Sequence, residues 1–210
     1  MTYNNLTRDL QKLKRTKIKS QVDSKIKEFK KLGTKSNNEL FKELCFCILT
    51  ANYSAEPAIK IQTEIKDGFI TLTKPQLVKK LKSLGHRFPN KRAEHIAEAR
   101  KHKSSLRKIM FSSQNEFELR EWVVKNIKGL GFKEASHFLR NIGYENLAIV
   151  DFHIIDLLVK YKIIQKSKTL TPKVYIEIEK TLAKIAQKSN LTQAELDLYL
   201  WYMETGKILK

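Results

Sequence analysis

The feature that most narrows the folds open to this chain is the spacing of its apolar residues. They return every third or fourth position along almost the whole length and hardly anywhere alternate in the two-residue rhythm of a strand. Leu6, Leu10 and Leu13, then Val22, Ile26 and Phe29, form a basic amphipathic N-terminal region that stops at Gly33. Helix-start signals punctuate the chain beyond it. Ser36-Asn37-Asn38-Glu39 has the form of a capping box ahead of a helix through Leu44, Ile48 and Leu49. Thr73 with Pro75 opens another, with Leu77, Leu81 and Leu84 on one face and Gly85 at its end. Helices are also expected near 54–66, 91–103, 116–128 and 132–142. Asp151 stands where it can cap a helix through Ile154, Leu157 and Leu158, and Thr171-Pro172 starts the next. Thr192-Gln193-Ala194-Glu195, a second capping box, starts the last, which carries Leu196, Leu200 and Met203. Apolar residues persist to Ile208 and Leu209, so the tail does not read as a frayed polar end. The expectation is an all-α protein.

Composition then limits what such a bundle does. With 210 residues, 41% of them hydrophobic, the chain has ample length for a core and makes one large domain or two small ones. Forty-one Lys and Arg against 22 Asp and Glu leave a formal charge of +19, which calls for a polyanionic partner. Charge alone does not choose between DNA, RNA and an anionic membrane face. Blocks such as KLKRTKIK sit inside helical patterns, where the summed charge is better evidence than any one block. There is no apolar run near 18 residues and no signal-peptide core at the N-terminus, so the expectation is a cytoplasmic protein without a membrane partner. Cys45 and Cys47, two apart on a helix, point in different directions and suit neither a disulfide nor a metal site; they read as small apolar groups.

Chemistry concentrates in residues 127–153, IKGLGFKEASHFLRNIGYENLAIVDFH. A helix ends near Ile127, a tight turn Lys128-Gly129-Leu130-Gly131 comes next, and a second helix carries Ala135, Phe138, Leu139 and Ile142 on one face: a helix-hairpin-helix. Gly129 and Gly131 can take positive φ and lack a Cβ, so turn amides can approach a phosphate closely. Lys133 falls on the first turn of the second helix, whose positive end disfavours an ammonium. Asp151 follows eighteen positions later, across a helix and a short connection that can bring the two together. A neutral amine can attack C1′ of a nucleoside, displace the base and form a Schiff base that permits strand cleavage by β-elimination. An ionised Asp151 at a helix N-cap could stabilise positive charge developing on the sugar and position the lysine. The same residues also suit a non-catalytic DNA-binding turn, a solvated lysine and a simple cap.

GLGFKEASHFLRNIG followed by AIVDFHI resembles the helix-hairpin-helix, Gly/Pro-Asp superfamily of DNA glycosylases, and within it the archaeal-type 8-oxoguanine DNA glycosylase/lyase family. KSNNELFKELCFCILTAN, LGHRFPNKRAEHI and ELDLYLWYMETGKILK extend the likeness, in order and spacing, over nearly the whole chain. The resemblance implies an all-α fold of two helical subdomains flanking a DNA-binding cleft. A helical barrel over 36–145 ends in the hairpin unit, and 1–35 with 146–210 form the other subdomain. It implies a bifunctional base-excision enzyme that flips 8-oxoguanine out of double-stranded DNA, excises it through a lysine Schiff base and nicks the strand. Lys133 matches the family nucleophile and Asp151 its essential aspartate, facing each other across the cleft. Gly129, Gly131 and His153 match contacts to DNA phosphate. Arg87 and Phe88 look like the cationic reader and aromatic wedge for the vacated space, and Asn52 like the contact to the orphaned partner base. Trp201 resembles the aromatic that stacks on the damaged base, His137 could line the same pocket, and the α-carboxylate of a terminal lysine, here Lys210, helps recognise 8-oxoguanine in the family. The hairpin lacks the proline common in the superfamily, which affects turn stiffness more than chemistry.

The chemistry asks for no metal and no cofactor, and a monomer is expected. Two rivals stand beside this reading. One is another glycosylase of the superfamily, for oxidised pyrimidines or mismatches, although those usually carry a C-terminal four-cysteine iron–sulfur loop. The other is a non-catalytic DNA-binding module.

Overall fold

The computed structural model describes residues 2–113, 115–166 and 169–210, and among these it contains helices and no strand. The chain opens with α1 (Thr2–Leu13) and α2 (Ile18–Gly33), then α3 (Asn37–Thr50), α4 (Ala55–Ile65) and α5 (Gly68–Thr71). Next come α6 (Lys74–Ser83), α7 (Pro89–Ala99), a 3-10 turn at Arg100–His102, α8 (Leu106–Met110) and α9 (Glu116–Asn126). It closes with α10 (Phe132–Asn141), α11 (Phe152–Lys160), α12 (Pro172–Ser189) and α13 (Gln193–Thr205). Two compact units result, one of Leu32–Ile142 and one of Met1–Lys31 with Gly143–Lys210. No helix among the described residues is long and apolar enough to cross a membrane.

The start signals act where their side chains are free to act. Thr73 and Gln76 form a reciprocal capping box on α6, as do Thr192 and Glu195 on α13, where Glu195 accepts from the Thr192 amide at 2.7 Å. Thr171 caps α12 by accepting from the Val174 amide. Ser36 stands at the N-cap of α3 but makes no side-chain cap bond, contrary to the expected box. Glu39, which would complete the box, is held 2.6 Å from the Lys42 ammonium instead. The N-terminal region is two helices, because the chain turns at Lys14–Lys17, where the Thr16 hydroxyl accepts from the Ile18 amide. The helix expected near 91–103 begins at Pro89 and tightens to 3-10 geometry after Ala99. Two short helices, α5 and α8, carry no sequence signal of their own.

In the unit of Leu32–Ile142, α3 is the core. Every residue from Leu40 to Thr50 except Lys42 is buried, the mark of a helix surrounded on all sides, and both Cys45 and Cys47 are fully buried. One buried charge in it has structural work: Glu43 accepts from Asn141 at 2.7 Å and from Gln62 at 3.1 Å, while Asn141 accepts from the Arg140 guanidinium. Such a group is tolerated only when bonded, and these bonds fix the C-terminal end of α10 against α3 and α4.

In the other unit α1 packs on α12, and α11 and α12 both pack on α13. The extended stretch before α11 is bolted to α12. The Tyr175 hydroxyl donates to the Ala148 carbonyl and accepts from the Val150 amide, and Glu179 accepts from the Ala148 amide at 3.0 Å. This sets where Asp151 begins the next helix.

Candidate active site

The hairpin between α9 and α10 is shaped from below by a histidine on another helix. Gly129 has φ +85°, a conformation in which a side chain is strained, and a Cβ there would lie 2.0 Å from Nδ1 of His95. His95, on α7, is 4% exposed, and neither ring nitrogen has a hydrogen-bond partner among the described residues. Burial, then the neighbouring Arg92 and Lys91, push its pKa down, so the ring sits neutral beneath the turn. Gly131 differs from the expectation of two equivalent glycines. Its φ is −96° with ψ −170°, ordinary extended backbone, and its amide donates to Glu134 at 3.3 Å.

Lys133 follows on the first turn of α10, its side chain 25% exposed and its Nζ 3.9 Å from the Glu134 carboxylate. Sequence reasoning missed Glu134, although a Glu at the third position after Gly131 was its signal. His137, one turn on, faces inward: it is buried and meets the Phe46 ring edge-on at 5.6 Å.

The same unit holds the loop Gly85–Phe88. Arg87 and Phe88 are exposed and brought together, the guanidinium 5.0 Å from the ring centroid, and Arg92 approaches the same ring at 5.7 Å. Asn52 is exposed just beyond α3, with φ +54°.

In the other unit Asp151 caps α11, its Oδ1 accepting from the Ile154 amide at 2.9 Å. Beside it runs an aromatic series that the sequence did not announce. Phe152, 66% exposed, lies over His153 at 4.1 Å, and His153 in turn meets Trp201 of α13 edge-to-face at 4.8 Å. The Trp201 indole N–H is buried with no hydrogen-bond partner among the described residues. α13 ends where Gly206 turns left-handed at φ +72°, and Ile208, Leu209 and Lys210 beyond it are half-buried.

The site residues thus offer an amine beside a carboxylate at the start of one helix, a carboxylate capping another, and exposed aromatic and cationic groups suited to bases and phosphates. Comparison with known proteins gives this a family context. Residues 22–191 match the family model described as 8-oxoguanine DNA glycosylase. The chain is 50% identical to the 8-oxoguanine DNA glycosylase/AP lyase of Korarchaeum cryptofilum over the whole of both chains. It is 52% identical to the 8-oxoguanine glycosylase/lyase of Methanocaldococcus jannaschii, solved in complex with a 15mer DNA containing 8-oxoguanine, with a TM-score of 0.95 over 98% of this chain and 99% of that one. The 8-oxoguanine DNA glycosylase of Thermotoga maritima superposes with a TM-score of 0.92 at 42% identity, covering 99% of this chain and all of the other.

Proposed function

Since the chain belongs to the 8-oxoguanine DNA glycosylase family, we infer that it excises 8-oxoguanine from DNA through the amine of Lys133 and cleaves the strand at the resulting abasic site. It is a DNA N-glycosylase and apurinic/apyrimidinic lyase, an enzyme of base-excision repair. The reading extends to a monomer that acts on genomic DNA in the cytoplasm.

The observation that carries the assignment of Lys133 is its position. It stands on the first turn of α10, directly after the hairpin that Gly129 makes possible, with a carboxylate beside it and part of its side chain open to solvent. The Nζ lone pair attacks C1′ of the extruded nucleotide as the bond from C1′ to N9 breaks and the base departs with the electron pair. Loss of a proton from Nζ and opening of the sugar ring give the iminium. Removal of a C2′ proton then expels the 3′ phosphate. Asp151 answers the positive charge that grows on the sugar in the first step. Its cap bond to Ile154 holds the carboxylate in place meanwhile.

The rest of the site serves extrusion and recognition. Trp201 stacks on the extruded base, with His137 and Lys210 assigned to its surroundings. Phe88 enters the vacated space, Arg87 and Asn52 read the partner base, and Gly129, Gly131 and His153 meet phosphate. 8-Oxoguanine differs from guanine by a donor at N7 and an oxo group at C8, so an acceptor facing N7–H supplies the discrimination.

Borohydride reduction tests the reaction type. With an 8-oxoguanine duplex it should trap a covalent protein–DNA adduct, and Lys133→Gln should lose the adduct while keeping duplex binding. No adduct with the parent protein would leave a DNA-binding module, and a better-cleaved lesion in a panel of duplexes would reassign the substrate.

A further inference from the structure

His86 precedes Arg87 and Phe88, is 4% exposed, and makes two hydrogen bonds that together fix its chemical form. Nε2 lies 3.1 Å from the Leu49 carbonyl, and Nδ1 lies 3.0 Å from the Phe88 amide. A carbonyl only accepts, so Nε2 carries the hydrogen; a backbone N–H only donates, so Nδ1 is bare. The arrangement admits the neutral ring in one tautomer. A second proton, on Nδ1, would set two N–H groups against each other.

Two more bonds hold the residues just past α3. The Tyr53 hydroxyl donates to the Gly85 carbonyl at 3.3 Å, and the Tyr53 ring lies over the His86 ring at 4.3 Å. The Arg92 guanidinium donates to the Ala51 carbonyl. Leu49, Ala51 and Tyr53 surround Asn52 on one side; Gly85, His86 and Arg92 flank Arg87 and Phe88 on the other. Two hydrogen bonds therefore tie the end of α3 and the residues just past it to the loop, and a third ties them to α7 directly behind it, all within one unit.

We propose that His86 is a positioning residue: as the Nε2–H tautomer it holds Arg87 and Phe88 against Asn52, so that the wedge and the partner-base reader meet DNA as one preset unit, and protonation releases the loop. This rests on the assignment of those three residues above. The groups facing His86 are Tyr53, just past α3, and Arg92 from α7. Burial, and then the Arg92 cation, lower its pKa against the opposing pull of the Leu49 carbonyl, which keeps the ring neutral near pH 7.

Two substitutions separate the two bonds. In His86→Asn the amide oxygen falls where Nδ1 stands and accepts from Phe88. In His86→Gln the amide nitrogen reaches the place of Nε2 and donates to Leu49, leaving Phe88 unheld. Affinity is measured for a duplex with a tetrahydrofuran abasic analogue opposite each of the four bases, and for unmodified duplex. His86→Gln should bind the analogue about tenfold more weakly, the effect of one buried hydrogen bond, with partner-base preference flattened; His86→Asn should stay within about threefold, and unmodified duplex binding should hold in both. In the parent, analogue affinity should fall on acidification, and His86→Asn should lack that leg. Equal losses in the two variants, or an unchanged acid leg in His86→Asn, overturn the proposal. Phe88→Ala is the control: if it leaves analogue affinity intact, the wedge assignment itself fails and takes the proposal with it. Should the variants not fold, ring ¹⁵N shifts of the parent decide, since anything but the Nε2–H tautomer at pH 7 refutes the inference.

Discussion

Gly129→Ala and Gly131→Ala change the same residue type two positions apart, yet they should move stability in opposite directions. At Gly129 a methyl group meets two costs. The backbone at φ +85° penalises a Cβ by about 1–2 kcal/mol. The new atom would also sit 2.0 Å from Nδ1 and 2.4 Å from Cε1 of His95, a ring that is itself buried and has to move. Overpacking of that kind costs roughly 1–3 kcal/mol, so the sum is about 2–5 kcal/mol. At Gly131 the backbone is extended and nothing but the Glu134 side chain lies nearby, at 3.5 Å. Alanine there mainly removes freedom from the unfolded chain, a gain of roughly 0.4–1 kcal/mol. Each unit contains one of the two tryptophans, Trp122 in α9 and Trp201 in α13, so urea unfolding in a Trp201→Phe background reads the hairpin's own unit. Adding His95→Ala to Gly129→Ala should recover the steric part and leave the backbone part, a coupling of roughly 1–3 kcal/mol. Gly129→Ala within about 0.5 kcal/mol of the parent, or equal destabilisation by the two substitutions, would refute the reasoning.

Two further outcomes are expected. Asp151→Asn keeps an acceptor for the Ile154 amide and loses the charge, so excision should slow by about two to three orders of magnitude with little loss of duplex affinity; Asp151→Ala should add roughly 1 kcal/mol of instability from the lost cap, and equal losses of rate and affinity in Asp151→Asn would reduce the residue to a cap. The phenols of Tyr161 and Tyr199 are pushed up to about 12, Tyr161 by burial and its bond to Asp9, Tyr199 by burial and then nearby Asp23 and Glu195. A raised folded pKa gives stability that is complete below pH 10 and drains away between about 10 and 12. Titration by ultraviolet absorbance should show Tyr161 and Tyr199 ionising late, and Tyr161→Phe should make the alkaline fall in stability shallower; an unchanged slope would discount the raised pKa of Tyr161.

What the sequence revealed and what it withheld divide along the range of the forces involved. α6, α12 and α13 were legible because cap, periodic face and stop lie within one helix length, and the Thr73, Thr171 and Thr192 side chains each accept from an amide of their own helix's first turn. Ser36 offered the same signal and lost it, because Lys42 takes Glu39 and the box cannot close. α5 and α8 are too short for periodicity to register, and their burial comes from α3, which both pack on. The site follows the same rule. Lys133 and Asp151 could be placed from their helix-start positions alone. Nothing local, however, distinguishes Gly129 from Gly131. Both sit in one turn, and the left-handed backbone that the first adopts, together with a histidine from α7 pressed beneath it, decides which of them must lack a Cβ. The histidines are the sharpest case, since burial and partners set a different role for each. His95 supports the hairpin, His137 fills the core beside Phe46, His153 joins an aromatic series, and His86 is held in one tautomer by a carbonyl on one side and an amide on the other. A residue whose role is set by what sits on its two ring nitrogens is legible only once the fold has brought those partners to it.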